Sequence, residues 1–173
     1  MKFFSGFSLQ NESYLFENYI KKSDYNVCGF SYGAIKALEY VKKELENGVR
    51  VDTLQLFSPA FFQSKDTKFK RLQLMAYRKN EDVYLNQFLN SCFYPYGKKI
   101  VERSITVIDE LEELLNYKWD IELLKNLSDK GIDIEVYLGG EDSIVDAEEA
   151  KELFKDVATV TYIKEANHFL QLS

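Results

Sequence analysis

Apolar residues occur in short runs broken by turn residues, and the period of these runs changes along the chain. Lys2-Phe3-Phe4 reads as a first strand that enters a glycine-containing loop, Ser5 to Gln10. Asn11 to Lys22 places Tyr14, Leu15, Phe16, Tyr19 and Ile20 at helical spacing behind Asn11 as N-cap, and predicts a helix. A short strand ending at Val27-Cys28 follows. Ala34, Ile35, Ala37, Leu38 and Val41 then recur at helical spacing as far as Asn47-Gly48, where glycine suits the position just past a helix end. Val51 to Phe57 alternates and stops at Ser58-Pro59, and Ile132 to Leu138 alternates and stops at Gly139-Gly140. Asp146 to Phe154 predicts a short helix and Val157 to Ile163 a last strand. This alternation of strand and helix predicts an α/β fold with about five mostly parallel strands.

Residues 64–130 have a different texture, with helical patterns, many charges and no convincing strand. Leu72, Met75, Ala76, Phe88 and Leu89 are expected to face inward, and Ile105, Ile108, Leu111, Leu114 and Leu115 form a second stripe. Set between two core strands, this stretch is expected to be a helical lid insertion within one domain spanning 1–173. The alternative is an elongated crossover helix with loops.

Composition narrows the function classes. A chain of 173 residues with 46% hydrophobic positions can bury one core. Its net charge of −6 argues against general nucleic-acid binding. No run approaches the roughly 20 apolar residues of a membrane span, and no leader-like segment precedes the first strand, so no membrane association is expected. Cys28 and Cys92 have no metal-like spacing and suggest no disulfide framework, so a reducing, cytoplasmic setting is the expectation.

The chemistry centres on Gly29-Phe30-Ser31-Tyr32-Gly33, which lies between a strand and a helix. In that context Gly-x-Ser-x-Gly reads as a nucleophile elbow, with serine on a sharp turn and two glycines allowing helix and strand to approach. An ordinary N-cap role for Ser31 is the alternative. His168, the single histidine, follows the last strand, and Asp142 follows the strand before it. Parallel strands put these ends on one edge of a sheet, so Ser31, Asp142 and His168 are expected to converge there in the order nucleophile, acid, histidine. Glu141 and Asp146 compete for the acid role, and Asp146 could instead cap the following helix. Oxyanion donors are expected from the backbone of Tyr32 and of Phe7 in the loop after the first strand. Such chemistry needs no metal or organic cofactor.

The chain resembles the α/β-hydrolase family over nearly its whole length, and more narrowly the short pimeloyl-[acyl-carrier protein] methyl ester esterases of biotin synthesis. The residues that carry the closer resemblance are Phe3-Phe4-Ser5-Gly6-Phe7, Gly29 to Ala37, Leu56-Phe57-Ser58-Pro59, Phe69 to Leu74, and Asn167-His168-Phe169-Leu170-Gln171. The resemblance implies a cytoplasmic carboxylesterase that releases methanol from a pimeloyl thioester held by an acyl carrier protein. Relative to a full-sized member the pattern is truncated. Two leading strands, one strand-helix unit and a final helix are missing, and Ser5 stands where histidine commonly precedes the oxyanion glycine. With strands in sequential order, helices should cover mostly one face, leaving the other to lid helices or to the second subunit of a homodimer. Lys65, Lys68, Lys70, Arg71, Arg78 and Lys79 stand against Asp66 alone between residues 65 and 79. Of these, Lys68, Lys70, Arg71 and Arg78 are candidates to contact an acidic carrier protein, the alternative being a solvated helix face.

Overall fold

The computed structural model describes residues 1–173. The strands in chain order are β1 (Lys2–Phe4), β2 (Leu9–Gln10), β3 (Asn26–Phe30), β4 (Thr53–Phe57), β5 (Glu102–Arg103), β6 (Asp133–Gly139) and β7 (Thr159–Ile163). The helices are α1 (Tyr32–Glu46), α2 (Thr67–Lys79), α3 (Glu81–Phe93), α4 (Ile108–Asn116), α5 (Ile121–Asp129) and α6 (Ala147–Phe154). Strands β1, β3, β4, β6 and β7 form one parallel sheet in that order. No helix is long and apolar enough to cross a membrane.

Every residue of β3 and β4 is buried, as expected for central parallel strands covered on both faces. The register aligns Val27, Leu54 and Ile134 on one face and Phe30, Phe57 and Tyr137 on the other. On the first face, Leu54, Leu56, Val136 and Leu138 share a core with Ala34, Leu38 and Val41 of α1, Leu124 of α5, and Ala150 and Phe154 of α6. These three helices therefore occupy one side, as sequential right-handed crossovers require. Helices α2, α3 and α4 pack together beyond the strand ends, whereas α5 lies against β6.

The second face is closed by the chain itself. Phe16 stacks on Phe57 with ring centroids 4.9 Å apart, and it also packs against Phe30. Phe169 stacks on Phe30 at 4.9 Å, and Phe93 at the end of α3 packs on Phe169. Segment 12–20 and the C-terminal turn thus cover this face together with the end of α3, a helix of the stretch expected to act as a lid.

Segment 11–22 departs from the predicted helix. Only a 3₁₀ turn, Glu12–Phe16, forms, and Asn11 sits in the left-handed region with φ 65° and caps nothing. Two buried side chains compete for the backbone further on. Gln55 donates to Tyr19 O and accepts from Lys21 N, both at 2.9 Å, while Asn26 Nδ2 donates to Lys21 O. Those groups are therefore not available to a helical ladder. A second difference is β5, a strand inside the stretch in which no strand is expected. It pairs antiparallel with β2, Leu9 opposite Arg103. Leu72 and Met75 face solvent instead of the interior, and Ile105 is almost fully exposed ahead of α4.

Candidate active site

Ser31 is the junction of β3 and α1. Its φ of 52° and ψ of −117° lie outside the ordinary regions for a residue with a Cβ, a conformation whose cost is of order 1–3 kcal/mol. Three backbone hydrogen bonds hold it: Ser31 N donates to Phe57 O at 2.9 Å, and Ser31 O accepts from Ala34 N and Ala60 N. Gly33 explains the close packing on the other side. A Cβ there would lie 2.0 Å from Phe4 O and 2.5 Å from Ser5 O, so the first turn of α1 can touch the loop after β1 only through glycine.

The three predicted side chains come together. His168 Nε2 lies 3.1 Å from Ser31 Oγ, and His168 Nδ1 lies 2.7 Å from Asp142 Oδ2. Both the imidazole and the carboxylate are sealed from solvent, and Ser31 is only 4% exposed. Asp142 Oδ1 accepts from Ile144 N at 2.7 Å and Val145 N at 3.1 Å, which fixes the carboxylate plane against the ring. Nδ1 facing a carboxylate carries the proton, leaving Nε2 as acceptor toward the serine hydroxyl. The competitors for the acid position lie elsewhere: Asp146 caps α6 through Glu149 N, and Glu141 faces solvent. The acid and histidine loops are in tight contact, since a Cβ on Gly139 would meet Ala166 O at 2.3 Å. The ring of Phe30 lies 5.0 Å from the imidazole, tilted by 55°. The thiol of Cys92 is pushed well above its ordinary value by burial and then by the charge of Asp142.

Tyr32 begins α1, so its N–H belongs to the unpaired first turn of the helix. Phe7 N donates to no backbone acceptor, and the Phe7 and Tyr32 rings meet edge to face at 6.4 Å. Gly6 N, one residue before Phe7, donates at 2.7 Å to Oε1 of Glu12, a fully buried carboxyl group. Burial raises the Glu12 pKa, and the Gly6 bond offsets part of the shift. The helix expected over residues 11–22 assigns Glu12 no such role. The available signal was an acid lying between the apolar residues that close the second face.

A cavity of about 290 Å³ reaches Phe7 and the Ser143-Ile144 pair that follows Asp142, while Ser31 and His168 are not among its lining residues. Phe7 and Ile144 border it on the sheet side, and Phe69, Phe88, Leu111 and Leu115 of α2, α3 and α4 form its walls. Its polar lining residues (Gln73, Tyr84, Gln87, Ser91 and Ser143) carry no formal charge. Such a space suits an uncharged, largely apolar chain. Outside it, Lys68, Arg71 and Arg78 of α2 are exposed and Lys70 is half-buried, and none of the four forms an ion pair. No three His, Cys, Asp or Glu side chains cluster in a way that could hold a metal ion.

No family model and no curated protein matches this sequence. Solved structures do match. BioG from Haemophilus influenzae aligns with 97% of this chain and 87% of its own at 13% identity and a TM-score of 0.55. E-2-(acetamidomethylene)succinate hydrolase aligns over 97% and 84% at 12% identity and a TM-score of 0.59. The esterase EaEST from Exiguobacterium antarcticum aligns over 82% and 58% at 16% identity and a TM-score of 0.58. The chain spans 58% of that esterase and 62% of naproxen esterase from Bacillus subtilis. These likenesses place the chain in the α/β-hydrolase fold, in a shortened form.

Proposed function

We propose that this chain of α/β-hydrolase fold is a serine carboxylesterase that removes the methyl group from a pimeloyl chain carried on an acyl carrier protein. The observation that carries the reading is the continuous hydrogen-bonded path Asp142–His168–Ser31. The choice of substrate rests on the sequence resemblance described above, on the likeness to BioG, and on the cations of α2 facing outward.

The steps follow from that reading. As Ser31 Oγ attacks the ester carbonyl, His168 Nε2 takes its proton, and the adjacent Asp142 stabilises the resulting imidazolium. The carbonyl oxygen becomes an oxyanion held by the N–H groups of Tyr32 and Phe7, a contribution of about 3 kcal/mol for a single donor. Collapse expels methoxide, which leaves as methanol with the proton from Nε2. The resulting acyl-enzyme is hydrolysed by water activated by the same imidazole, which frees the carboxylate and restores Ser31.

The test is incubation of the purified protein with methyl pimeloyl carrier protein, followed by mass spectrometry of the carrier. Loss of the methyl group with the thioester intact, absent in Ser31→Ala, is the expected result. Cleavage of the thioester instead would make the protein a thioesterase. If a serine-reactive fluorophosphonate leaves the folded protein unlabelled, the chain is a binding module and the reading fails.

A further inference from the structure

Asn167 is fully buried, and its side chain uses its complete hydrogen-bonding capacity. Nδ2 donates to Phe93 O at 2.8 Å and to Gln171 Oε1 at 2.9 Å. Oδ1 accepts from Phe169 N and from Gln171 N, both at 3.0 Å, and these two N–H groups settle which amide atom is oxygen. The backbone closes the same ring: Asn167 N donates to Gln171 O, Leu170 N donates to Asn167 O, and Leu170 is held at φ 57°. His168 therefore projects from a five-residue turn whose centre is filled by the Asn167 amide.

One of those four bonds leaves the turn. Phe93 is the last residue of α3, the helix that contributes Tyr84, Gln87, Phe88 and Ser91 to the cavity. Around the Asn167–Phe93 bond, the Phe93 and Phe169 rings pack at 4.4 Å, and the Tyr96 hydroxyl donates to Glu165 O. His168 itself makes hydrogen bonds only to Ser31 and Asp142. The position of its ring thus depends on where the turn is held.

We infer that Asn167 is a positioning residue that fastens the His168 turn to the end of α3, so that the helix lining the cavity also sets the reach of the imidazole toward Ser31. This rests on the reading of Ser31, His168 and Asp142 as a catalytic chain. A shift of about 1 Å in a reacting group can cost about 100-fold in rate, so a single bond from the turn to α3 is enough to matter.

The test uses Asn167→Asp, which keeps size and both acceptor bonds but turns a second oxygen toward Phe93 O, removing the tie to α3. The expected result is a fall in kcat of about 10- to 100-fold, with KM changed by less than about twofold. His168 is the only histidine, so its ring protons give unique NMR signals. The Nδ1–H resonance shared with Asp142 should broaden or move in the variant, a readout that needs no substrate and stands even if the assigned ester is not cleaved. Asn26→Asp perturbs a buried amide at the opposite end of β3, and it should lose stability without moving kcat or the imidazole signals. Gln171→Ala, at a half-buried position, removes the second acceptor of Nδ2 together with the Gln171 Nε2 donation to Gly97 O just beyond α3, and should show the same change to a smaller extent. It decides the matter if Asn167→Asp does not fold. Unchanged kcat and imidazole signals in the folded variants, or a change confined to KM, would overturn the assignment.

Discussion

Glu12 stands where two demands meet: it must hold Gly6 N, and it must do so without water. Its Oε2 has no partner and its pKa is raised by burial. The sign of its effect on stability follows. In the unfolded chain the carboxyl ionises in the ordinary range, whereas in the folded protein it keeps its proton to higher pH. As pH rises from that range through the folded value, the native state must surrender a proton that the unfolded state has already lost, and stability falls. Glu12→Gln keeps an acceptor for Gly6 N but cannot ionise. Urea unfolding of both proteins across the acidic to neutral range should show the wild type losing stability relative to the variant as pH increases. A constant difference across that range would mean that Glu12 does not titrate there. At this scale the sequence was legible where a residue type and its neighbours define the role together. Ser31 between Gly29 and Gly33 is such a case. Glu12 was not, because its role depends on Gly6 being brought opposite it by the fold.

Whole elements were legible when one periodicity ruled them. β3, β4, β6, β7, α1 and α6 lie close to where alternation and helical spacing place them. Segment 11–22 has helical spacing too, but its apolar residues serve a different surface, the underside of Phe30 and Phe57. Gln55 tips the balance there. As an alternating strand position it carries no outward sign of importance, yet it is fully buried and binds Tyr19 O, Lys21 N, Asn26 Nδ2 and Glu135 Oε2. Local helical preference is worth only tenths of a kcal/mol per residue and yields to such contacts. Gln55→Ala should therefore lower the unfolding free energy by about 2–3 kcal/mol, since several buried groups lose partners at once. Hydrogen exchange at Tyr19 to Lys21 should accelerate in that variant, while α1 stays protected. Uniform acceleration through the sheet would show that Gln55 supports the whole core and not this segment alone.

Across the whole molecule, charge is distributed against the net sign. The chain carries −6, yet α2 and its approach hold six bases against one acid, and the bases flank exposed Leu72 and Met75. Lys68, Arg71, Leu72 and Met75 share one shallow groove on the outer side of α2, while Phe69 and Gln73 of the same helix face the cavity. One helix thus presents an apolar strip with cations outward and part of the candidate substrate site inward, an arrangement suited to an acidic carrier that delivers a tethered chain. Long-range attraction of this kind acts on encounter and is screened over about 10 Å at 0.1 M salt. For the carrier-bound methyl ester, kcat/KM should fall by about tenfold between low salt and about 0.5 M, whereas a small uncharged methyl ester should respond by less than about twofold. Reversing two charges, Lys68→Glu with Arg71→Glu, should lower the carrier-bound rate at low salt and flatten its salt dependence. The small ester should be hydrolysed as before, because both side chains point away from Ser31 and the cavity. A salt response that survives the double reversal would locate docking elsewhere on the surface, and an equal response of both substrates would trace it to the chemistry at Ser31 and not to encounter.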